Sequence, residues 1–578
     1  MVVLPQLLYQ TCNELARFSS EFRVKIYGSK AVNLRKFPRV SDISVHSDLA
    51  NTQDLRNIST VVVTTFNFLE RNNGPKKFRN WRRWYDANQR RSGSSGSDDE
   101  MDVDIRSPFH LPDSLSEFYP SDEDMKEFPH SFRGVFRRHV LDEVQCSLRN
   151  SSKHWSTIYI NRSRKNPCRI SLFSGSPAPR GLRDFYSYLL LTHDPALERE
   201  VHTKIKGTDD HGDWVYPHIN PYALPDDHPF AKFRATPTCF RFFIIESEDE
   251  SLTEVEKGIL AQKCLETWVL RRDYSCACPI GSQNTISSNM PHVSRLVIEK
   301  SFKPSVRAYW NRITKPFASK MVILQTNSQN GSEEPIPNAR TLRAYQIINA
   351  FPFLGALHKE EEIITDKGTK STTDKDSWFN VDSQIYQDTP APSKKGRRIK
   401  WLLNKCRDVG CPILQADVDY QARDNKEIVS LLCNLCPKIS MTLALLSDYL
   451  VLRKQKMLLW FNYPEVQELV EEILSMVGFG KPAMRSMYRN SSLSDRSDMQ
   501  EELNSKEGKL QLLLLSMKVS GIGLNYQQNC SRAIIFDSCD SFIEEEQVIG
   551  RIWRMGQMMD CLIFNIMVTD TSDTKALQ

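Results

Sequence analysis

The sequence predicts an α/β protein with mainly parallel sheets. Three apolar runs of strand length, at residues 512–515, 533–536 and 561–568, lie near the C-terminus and are separated by a glycine-rich turn and a polar segment. Continuous apolar runs are typical of strands that are buried on both faces of a parallel sheet. A similar order of apolar and amphipathic segments begins at Met1. With 578 residues the chain can form more than one domain, each with a full core.

The composition excludes several classes of protein. Hydrophobic residues make up 40% of the chain and charged residues 25%, which is typical of soluble globular proteins. The net charge of +5 is small for this length, so any contact with nucleic acid must come from local basic patches. No run of about 18 apolar residues and no secretory signal is present, which predicts an intracellular protein without a membrane partner. The 14 cysteines show no disulfide framework and indicate reduced thiols.

The N-terminal segment predicts strand, helix and strand in that order. Residues 2–4 are apolar, residues 8–15 have one apolar helical face, and residues 22–26 alternate between apolar and polar side chains. Residues 60–65 then predict a third, buried strand that ends at Thr64 and Thr65. Hydroxyl groups at a strand end can donate hydrogen bonds to phosphate oxygens, but threonine is also a frequent strand residue, so both interpretations stay open.

Cations and aromatic residues alternate between residues 76 and 91. Such a patch suits nucleic acid, because cations pair with phosphates and aromatic rings stack on bases. The alternative, which we favour slightly, is an amphipathic surface helix whose aromatic residues belong to the core. Small and acidic residues follow, and residues 92–124 predict a disordered insertion.

An acidic pair, Asp142 and Glu143, follows the apolar residues Val140 and Leu141. At the carboxyl end of a strand, the first carboxylate can hold Mg²⁺ and the second can orient or deprotonate an attacking water molecule. An acidic pair alone is weak evidence for such a site.

The C-terminal region predicts a complete second α/β unit. Apolar side chains recur at helical spacing in residues 439–450 and 466–476, a buried strand occupies residues 457–461, and a polar helix spans residues 492–504. Arg551 and Arg554 would share one face of a helix and could reach one phosphate together. The alternative for an isolated pair of this kind is a solvated basic helix end.

Several of these segments together resemble the motifs of the Swi/Snf-type DNA-dependent ATPases of helicase superfamily two. Motifs V and VI are similar to GIGLN at residues 521–525, IIFD at 534–537 and QVIGRIWRMGQ at 547–557. Motif II is similar to LDE with Asn150 and Ser151 downstream, and motif III to SGSP at residues 174–177. The strands that end near Pro5 and Thr65 resemble motifs Ia and Ib.

The resemblance implies two RecA-like lobes with mainly parallel sheets, a helical inter-lobe region and disordered insertions. The first lobe would span residues 1–195 and the second residues 399–578. Residues 196–324 would form a helical protrusion and connector, in which Arg271 and Arg272 resemble a family signature. Residues 325–398 would be a linker or weakly ordered insertion.

The resemblance also implies roles for particular residues. Asp142 would hold the Mg²⁺ that accompanies ATP, Glu143 would position water, and Arg551 and Arg554 would reach across an interdomain cleft to stabilise the transferring phosphoryl group. The cofactor-binding residues would be Gly521, Gly523, Asn525 and Gln557. The DNA-binding residues would be Pro5, Thr64, Thr65, Ser174 and Gly175.

Departures from the family pattern make hydrolysis by this chain doubtful. The sequence has no GxxxxGK followed by serine or threonine, the loop that holds the β- and γ-phosphates. We interpret this as a start of the chain beyond that motif. In addition, Gln145, Ser520 and Trp553 replace the family's usual histidine, glycine and histidine. We therefore expect a very weak ATP hydrolase or an inactive one.

The function implied by the resemblance is ATP-dependent translocation on double-stranded DNA or remodelling of chromatin in the nucleus, with protein partners of a remodelling complex. One alternative is a non-catalytic DNA- or chromatin-binding remnant, and another is a helicase that separates DNA or RNA strands. Cys406, Cys411, Cys433 and Cys436 have an irregular spacing for zinc, and we expect no zinc site.

Overall fold

A computed structural model of the chain contains two compact units, Met1–Asp273 and Tyr274–Gln578. The structure describes residues 1–28, 37–92, 122–148, 153–163, 168–175, 181–204, 206–208, 214–217, 219–246, 253–270, 276–277, 285–315, 322–326, 333–337, 339–358, 361–364, 370–373, 384–393, 395–520, 524–539, 541–571 and 573. The first unit extends further than the predicted boundary at residue 195.

The first unit contains a five-stranded parallel sheet and a short hairpin. Its strands are β1 (Val2–Val3), β2 (Arg23–Tyr27), β3 (Thr60–Thr65), β4 (Arg138–Leu141), β5 (Arg169–Leu172), β6 (Lys206–Thr208) and β7 (Trp214–Pro217). Its helices are α1 (Leu8–Phe18), α2 (Phe66–Asn73), α3 (Pro75–Ser92), α4 (Asp122–Glu127), α5 (Lys153–Ile160), α6 (Arg183–Thr192), α7 (Pro195–Lys204), α8 (Pro237–Phe240) and α9 (Glu254–Trp268). The sheet order is β2-β3-β1-β4-β5.

The short strand β1 lies at the centre of this sheet. Val2 pairs with Thr64 on one side and with Leu141 on the other. Val3, Val63 and Leu141 are fully buried, as expected for strands covered on both faces. The predicted strands at residues 2–4, 22–26 and 60–65 are confirmed.

Helix α3 follows the first three strands and has one aromatic face in the core. The rings of Phe78 and Trp81 lie 5.3 and 5.4 Å from the buried ring of Phe128, and Tyr85 lies 5.1 Å from Trp81. The interpretation as an amphipathic helix with core-facing aromatics is therefore confirmed for these residues. Residues 93–121, most of the predicted insertion, lie outside the described part of the chain. Helix α4 begins at Asp122, two residues before the predicted end of the insertion, and its Met125 is buried.

The second unit contains a six-stranded parallel sheet and two short hairpins. Its strands are β8 (Val293–Lys300), β9 (Val322–Thr326), β10 (Glu333–Pro337), β11 (Glu361–Ile364), β12 (Lys370–Thr373), β13 (Met457–Phe461), β14 (Met484–Met487), β15 (Leu512–Ser516), β16 (Arg532–Ile535) and β17 (Cys561–Val568). Its helices are α10 (Pro304–Thr314), α11 (Ala339–Ala350), α12 (Gln384–Gln387), α13 (Arg397–Asp408), α14 (Asn425–Leu435), α15 (Pro437–Leu445), α16 (Pro464–Met476), α17 (Leu493–Asn504), α18 (Met517–Ser520) and α19 (Phe542–Ile549). The sheet order is β14-β15-β13-β16-β17-β8.

Both faces of the central strands of this sheet are buried, whereas the edge strand β8 is largely exposed. On β13, Met457 and Phe461 point into one hydrophobic cluster, while Leu458 and Trp460 point into a second cluster on the opposite face. This alternation, with apolar residues at every position, is why the strands read as continuous apolar runs. The α/β class and the two parallel sheets, each typical of a RecA-like lobe, agree with the prediction.

The predicted limits of the second lobe are wrong, because its core begins well before residue 399. Strand β8, inside the predicted connector, pairs along its whole length with β17. Helix α11, inside the predicted linker, places Ala344, Ile347 and Ile348 in the core. Their spacing is helical, but the polar stretches on both sides of the helix hide this short signal.

The four cysteines considered for zinc lie in or against the core of the second unit. Cys406, Cys411 and Cys436 are buried, and Cys433 is partly buried. Burial raises the pKa of the Cys406, Cys411, Cys433 and Cys436 thiols.

Among the described residues no single helix is long and apolar enough to cross a membrane. One pair of helices, Asn425–Leu435 and Pro437–Leu452, has the required combined length and composition but is bent by 114°.

A buried ionic cluster joins α15 to the carboxyl ends of two strands. The ammonium group of Lys438 lies 3.0 Å from Oδ2 of Asp573 and donates to the Phe536 carbonyl at 2.9 Å. Asp537 is also buried, and burial raises its pKa to about 7, with Lys438 opposing this shift and Asp573 adding to it. Ser538 and the backbone N–H of Val568 donate to Asp573, so the cluster connects β16 with the chain after β17.

We expect Lys438→Met to lower the free energy of unfolding by about 3 kcal/mol, because removing one partner leaves buried carboxylates without their cation. Urea unfolding followed by circular dichroism measures this. The exposed Lys426→Met, on α14, serves as a matched control and should change stability by less than about 0.5 kcal/mol. A loss below about 1 kcal/mol for Lys438→Met would contradict the importance of the cluster.

Candidate functional site

Parallel pairing gathers most of the predicted site residues of the first unit at one edge of its sheet. Pro5 starts a short 3₁₀ helix after β1, and Thr65 ends β3. Asp142 follows β4 directly, and Ser174 follows β5 by two residues. Because the carboxyl ends of parallel strands meet at a single edge, segments that lie far apart in the sequence become neighbours there.

The acidic turn at Asp142 is held from both sides. Its backbone N–H donates to the Val2 carbonyl of β1 at 3.0 Å. On the other side, the Phe173 N–H donates to the Leu141 carbonyl at 2.8 Å, and the Val144 N–H donates to the Phe173 carbonyl at 3.2 Å. The turn is therefore fixed relative to both neighbouring strands.

Glu143 has a strained backbone. Its φ of 52° and ψ of 45° lie in the left-handed region, which non-glycine residues rarely adopt. Such a conformation costs about 1–3 kcal/mol and is found most often at functional sites, where the surrounding structure holds it in place.

Gln145 connects the acidic turn to the segment after β5. Its side-chain amide donates to Oε2 of Glu143 at 2.5 Å, and its Oε1 accepts from the hydroxyl of Ser174 at 2.6 Å. Gln145 is 3% exposed, whereas Glu143 and Ser174 are partly exposed, so both bonds are partly shielded from water. The sequence showed Gln145 only as a departure from the family pattern, because the contact depends on two segments 29 residues apart.

The carboxylates at this edge suit a divalent cation. Burial raises the pKa of Asp142, and the adjacent charge of Glu143 adds to the effect. A bound cation would offset both costs, and Mg²⁺ commonly binds one or two protein carboxylates together with waters and phosphates. The residues present therefore fit Mg²⁺, with Asp142 as the predicted ligand.

The predicted DNA contacts of the first unit have different environments. The Thr65 hydroxyl accepts from the Phe68 N–H and caps α2, Pro5 and Ser174 are partly buried, and Gly175 is exposed. The assignment of Thr64 to DNA binding is not supported by the structure, because Thr64 is 5% exposed and its hydroxyl faces the interior. Its side chain alternates with that of Thr65 along β3, so only one of the two can face outward.

The predicted arginines of the second unit lie in turns after α19, not in a helix. Arg554 donates to the side-chain oxygen of Asn525. Arg551 is 8% exposed and donates to the Leu524 carbonyl at 3.4 Å, while its own carbonyl accepts from Tyr526 at 2.9 Å. The structure thus brings Arg551, Arg554 and Asn525 together.

The side chain of Gln557 is fully hydrogen-bonded within the protein. Its amide group donates to the carbonyls of Cys530 and Ile552, and its oxygen accepts from the N–H groups of Met558 and Met559. These four bonds use its whole hydrogen-bonding capacity, so its predicted contact with a cofactor would require the turn to open.

Trp553, the other departure in this motif, donates to the Pro291 carbonyl at 2.9 Å and ties the arginine turn to the segment before β8. The predicted cofactor contacts Gly521 and Gly523 lie outside the described residues, as do Asn150, Ser151, Arg271 and Arg272.

Comparison with known proteins agrees with this geometry. Residues 438–556 match the family model described as helicase conserved C-terminal domain. The chain is 28% identical over 148 residues to a DNA repair and recombination protein RAD54-like of Drosophila ananassae, covering 25% of this chain and 18% of the relative. It is 28% identical over 123 residues to the DNA repair and recombination protein RAD54 of Saccharomyces cerevisiae, covering 21% of this chain and 13% of that relative. These matches show that the C-terminal part of the chain is similar to the helicase C-terminal domain of Swi/Snf-type proteins.

The chain spans less than a fifth of the length of either relative. A solved structure, the C-terminal part of the Fun30 ATPase domain, aligns with a TM-score of 0.29 and 15% identity, covering 50% of this chain and 89% of that one.

A double-mutant cycle tests the bridge made by Gln145. We expect Gln145→Leu and Ser174→Ala to be coupled by about 1 kcal/mol in unfolding free energy, because both remove the same buried hydrogen bond. Urea unfolding of the wild type, the two single variants and the double variant provides the measurement. Ser59→Ala, beyond the opposite end of β3, replaces Ser174→Ala in the control cycle and should show no coupling. Equal coupling in the two cycles would rule out the bridge.

Proposed function

We propose that this protein acts on double-stranded DNA or chromatin in the nucleus as an ATP-dependent translocase or remodeller of the Swi/Snf type. The observation that supports this best is the strained turn of Asp142 and Glu143, held between strands and bridged by Gln145 to Ser174. The names of the relatives refer to DNA repair and recombination, which also favours DNA as the partner.

The residues of the first unit would bind the metal ion and orient the attacking water molecule. Asp142 would hold Mg²⁺, and Glu143 would orient a water molecule or accept its proton. Gln145 donates to Oε2 of Glu143 and so holds the Glu143 carboxylate in one position. ATP would supply the transferable phosphoryl group. Neither Asp142 nor Glu143 can bind the phosphates by itself.

The residues of the second unit would stabilise negative charge. Arg554 is held by Asn525, and Arg551 is anchored at the Leu524 carbonyl, so both guanidinium groups are oriented before any ligand binds. Orientation in advance lowers the cost of stabilising charge in a transition state. Asn525 would then link the bound nucleotide to the segment that contacts DNA.

The missing phosphate loop limits this chemistry. The sequence has no GxxxxGK followed by serine or threonine, and the poorly matched GFGKP at residues 478–482 follows α16, not a strand. Without backbone amides and a lysine around the phosphates, both binding and charge stabilisation are weakened. We propose that this chain by itself hydrolyses ATP slowly.

The same observation favours a second candidate, a DNA- or chromatin-binding protein without catalysis. In that case the two sheets would serve as a scaffold, and the acidic turn would have no kinetic role. DNA-stimulated ATP hydrolysis distinguishes the two candidates.

We expect the chain to hydrolyse ATP in the presence of duplex DNA at less than about 0.1 s⁻¹, roughly a hundredth of a typical enzyme rate. Glu143→Gln should reduce this rate to background, because the amide cannot accept a proton from water. Release of inorganic phosphate with and without DNA is the measurement. Glu21→Gln, an exposed glutamate of the same unit, is the control and should leave the rate unchanged. Equal rates for Glu143→Gln and the wild type would reject the catalytic assignment and support the scaffold.

A further inference from the structure

Helix α3 is anchored firmly to the first unit by one face. The rings of Phe78 and Trp81 pack against the buried ring of Phe128, and Tyr85 continues the same row one turn later. The Phe78 N–H donates to the Gly74 carbonyl at the start of the helix. The opposite face is therefore held in a fixed orientation toward solvent.

That outer face combines three cations with one aromatic ring. Lys76, Lys77 and Arg83 are exposed, and Trp84 is 62% exposed. Residues seven apart lie almost two helical turns apart on the same side, so Lys76 and Lys77 line up with Arg83 and Trp84 over about 10 Å. We name these four residues the α3 outer face.

Among the residues that the structure describes, no acidic side chain forms an ion pair with Lys76, Lys77 or Arg83. Asp86, the only acidic residue of α3, lies 3.2 Å from Arg82. The cations of the outer face thus keep a positive field around the exposed indole ring. A single exposed aromatic residue is ordinary on a protein surface, but an exposed aromatic residue on the same helix face as three exposed cations suits a ligand that is both anionic and aromatic.

A nucleic acid strand fits those requirements. Phosphates would contact the cations, and an unstacked base would stack on the indole ring. In a duplex the bases are already stacked on each other, so Trp84 could contribute little. We infer that the α3 outer face binds single-stranded nucleic acid, with Trp84 stacked on a base and Lys76, Lys77 and Arg83 on the backbone. This inference adds a ligand to the duplex of the proposed function and does not depend on ATP.

Binding of a labelled 20-nucleotide oligothymidylate and of a 20-base-pair duplex to the full chain, by fluorescence anisotropy without ATP, tests the inference. Trp84→Ala should weaken binding of the oligothymidylate by between about five- and a hundredfold, and binding of the duplex much less. Phe18→Ala removes another exposed aromatic ring of the same unit and should change neither. An unchanged affinity of Trp84→Ala for the oligothymidylate, or an equal loss for both probes, would overturn the inference.

The cations are tested through the salt dependence. Arg83→Gln should lower the slope of log affinity against log salt by about 0.7 for the single strand, the value for one lost phosphate contact. Arg17→Gln, an exposed arginine on α1, should leave the slope unchanged.

The alternative ligand for the α3 outer face is an acidic protein. If polyglutamate binds as tightly as the oligothymidylate and loses affinity in Trp84→Ala, the α3 outer face would be a docking surface for acidic protein, and the inference fails. The proposed function is tested separately. If the wild-type chain does not bind the duplex, the proposed function is rejected. The effect of Trp84→Ala on binding of the single strand concerns only the α3 outer face.

Discussion

Parallel strand pairing is the constraint on which the rest of the structure depends. In the first unit it places the ends of β1, β3, β4 and β5 at one edge, although these strands span more than 160 residues of sequence. In the second unit the same arrangement brings the turn after β15 beside the arginine turn that precedes β17. The proposed roles depend on these two edges, because two of the contacts that hold the site residues, Gln145 with Ser174 and Arg554 with Asn525, each join residues that are 29 positions apart in the sequence.

At the edge of the first sheet, hydrogen bonds maintain a conformation that the local sequence disfavours. The left-handed backbone of Glu143 persists because the chain before and after it is bonded to β1 and to the segment after β5. Gln145 uses its two amide atoms to connect Glu143 with Ser174, a connection that stays the same over the physiological pH range because a glutamine does not titrate. Glutamine at this position therefore links the two segments through a side chain that does not change its charge.

The sequence predicts the strands better than it predicts the connections between them. Continuous apolar runs identified β13, β15 and β17, because burial on both faces leaves no polar positions. By contrast, α11 was assigned to a linker, since its short apolar pattern lies among polar residues. The acidic pair and the arginines could be recognised from local motifs. The bridge of Gln145, the interior position of Thr64 and the buried cluster of Lys438 could not, because each depends on contacts between distant segments.

The central claim is that the first unit carries the carboxylates and the second unit carries the arginines that the proposed ATP chemistry requires, while the sequence has no phosphate-binding loop of the GxxxxGK type. Calorimetric titration of the full chain with ATP and Mg²⁺, in parallel with titration by duplex DNA, tests it most directly. The account predicts that duplex DNA binds while ATP shows no saturation below about 1 mM, the upper limit of common enzyme affinities for substrate. Saturable binding of ATP in the micromolar range would contradict it, because such affinity requires phosphate-binding groups that these residues do not provide.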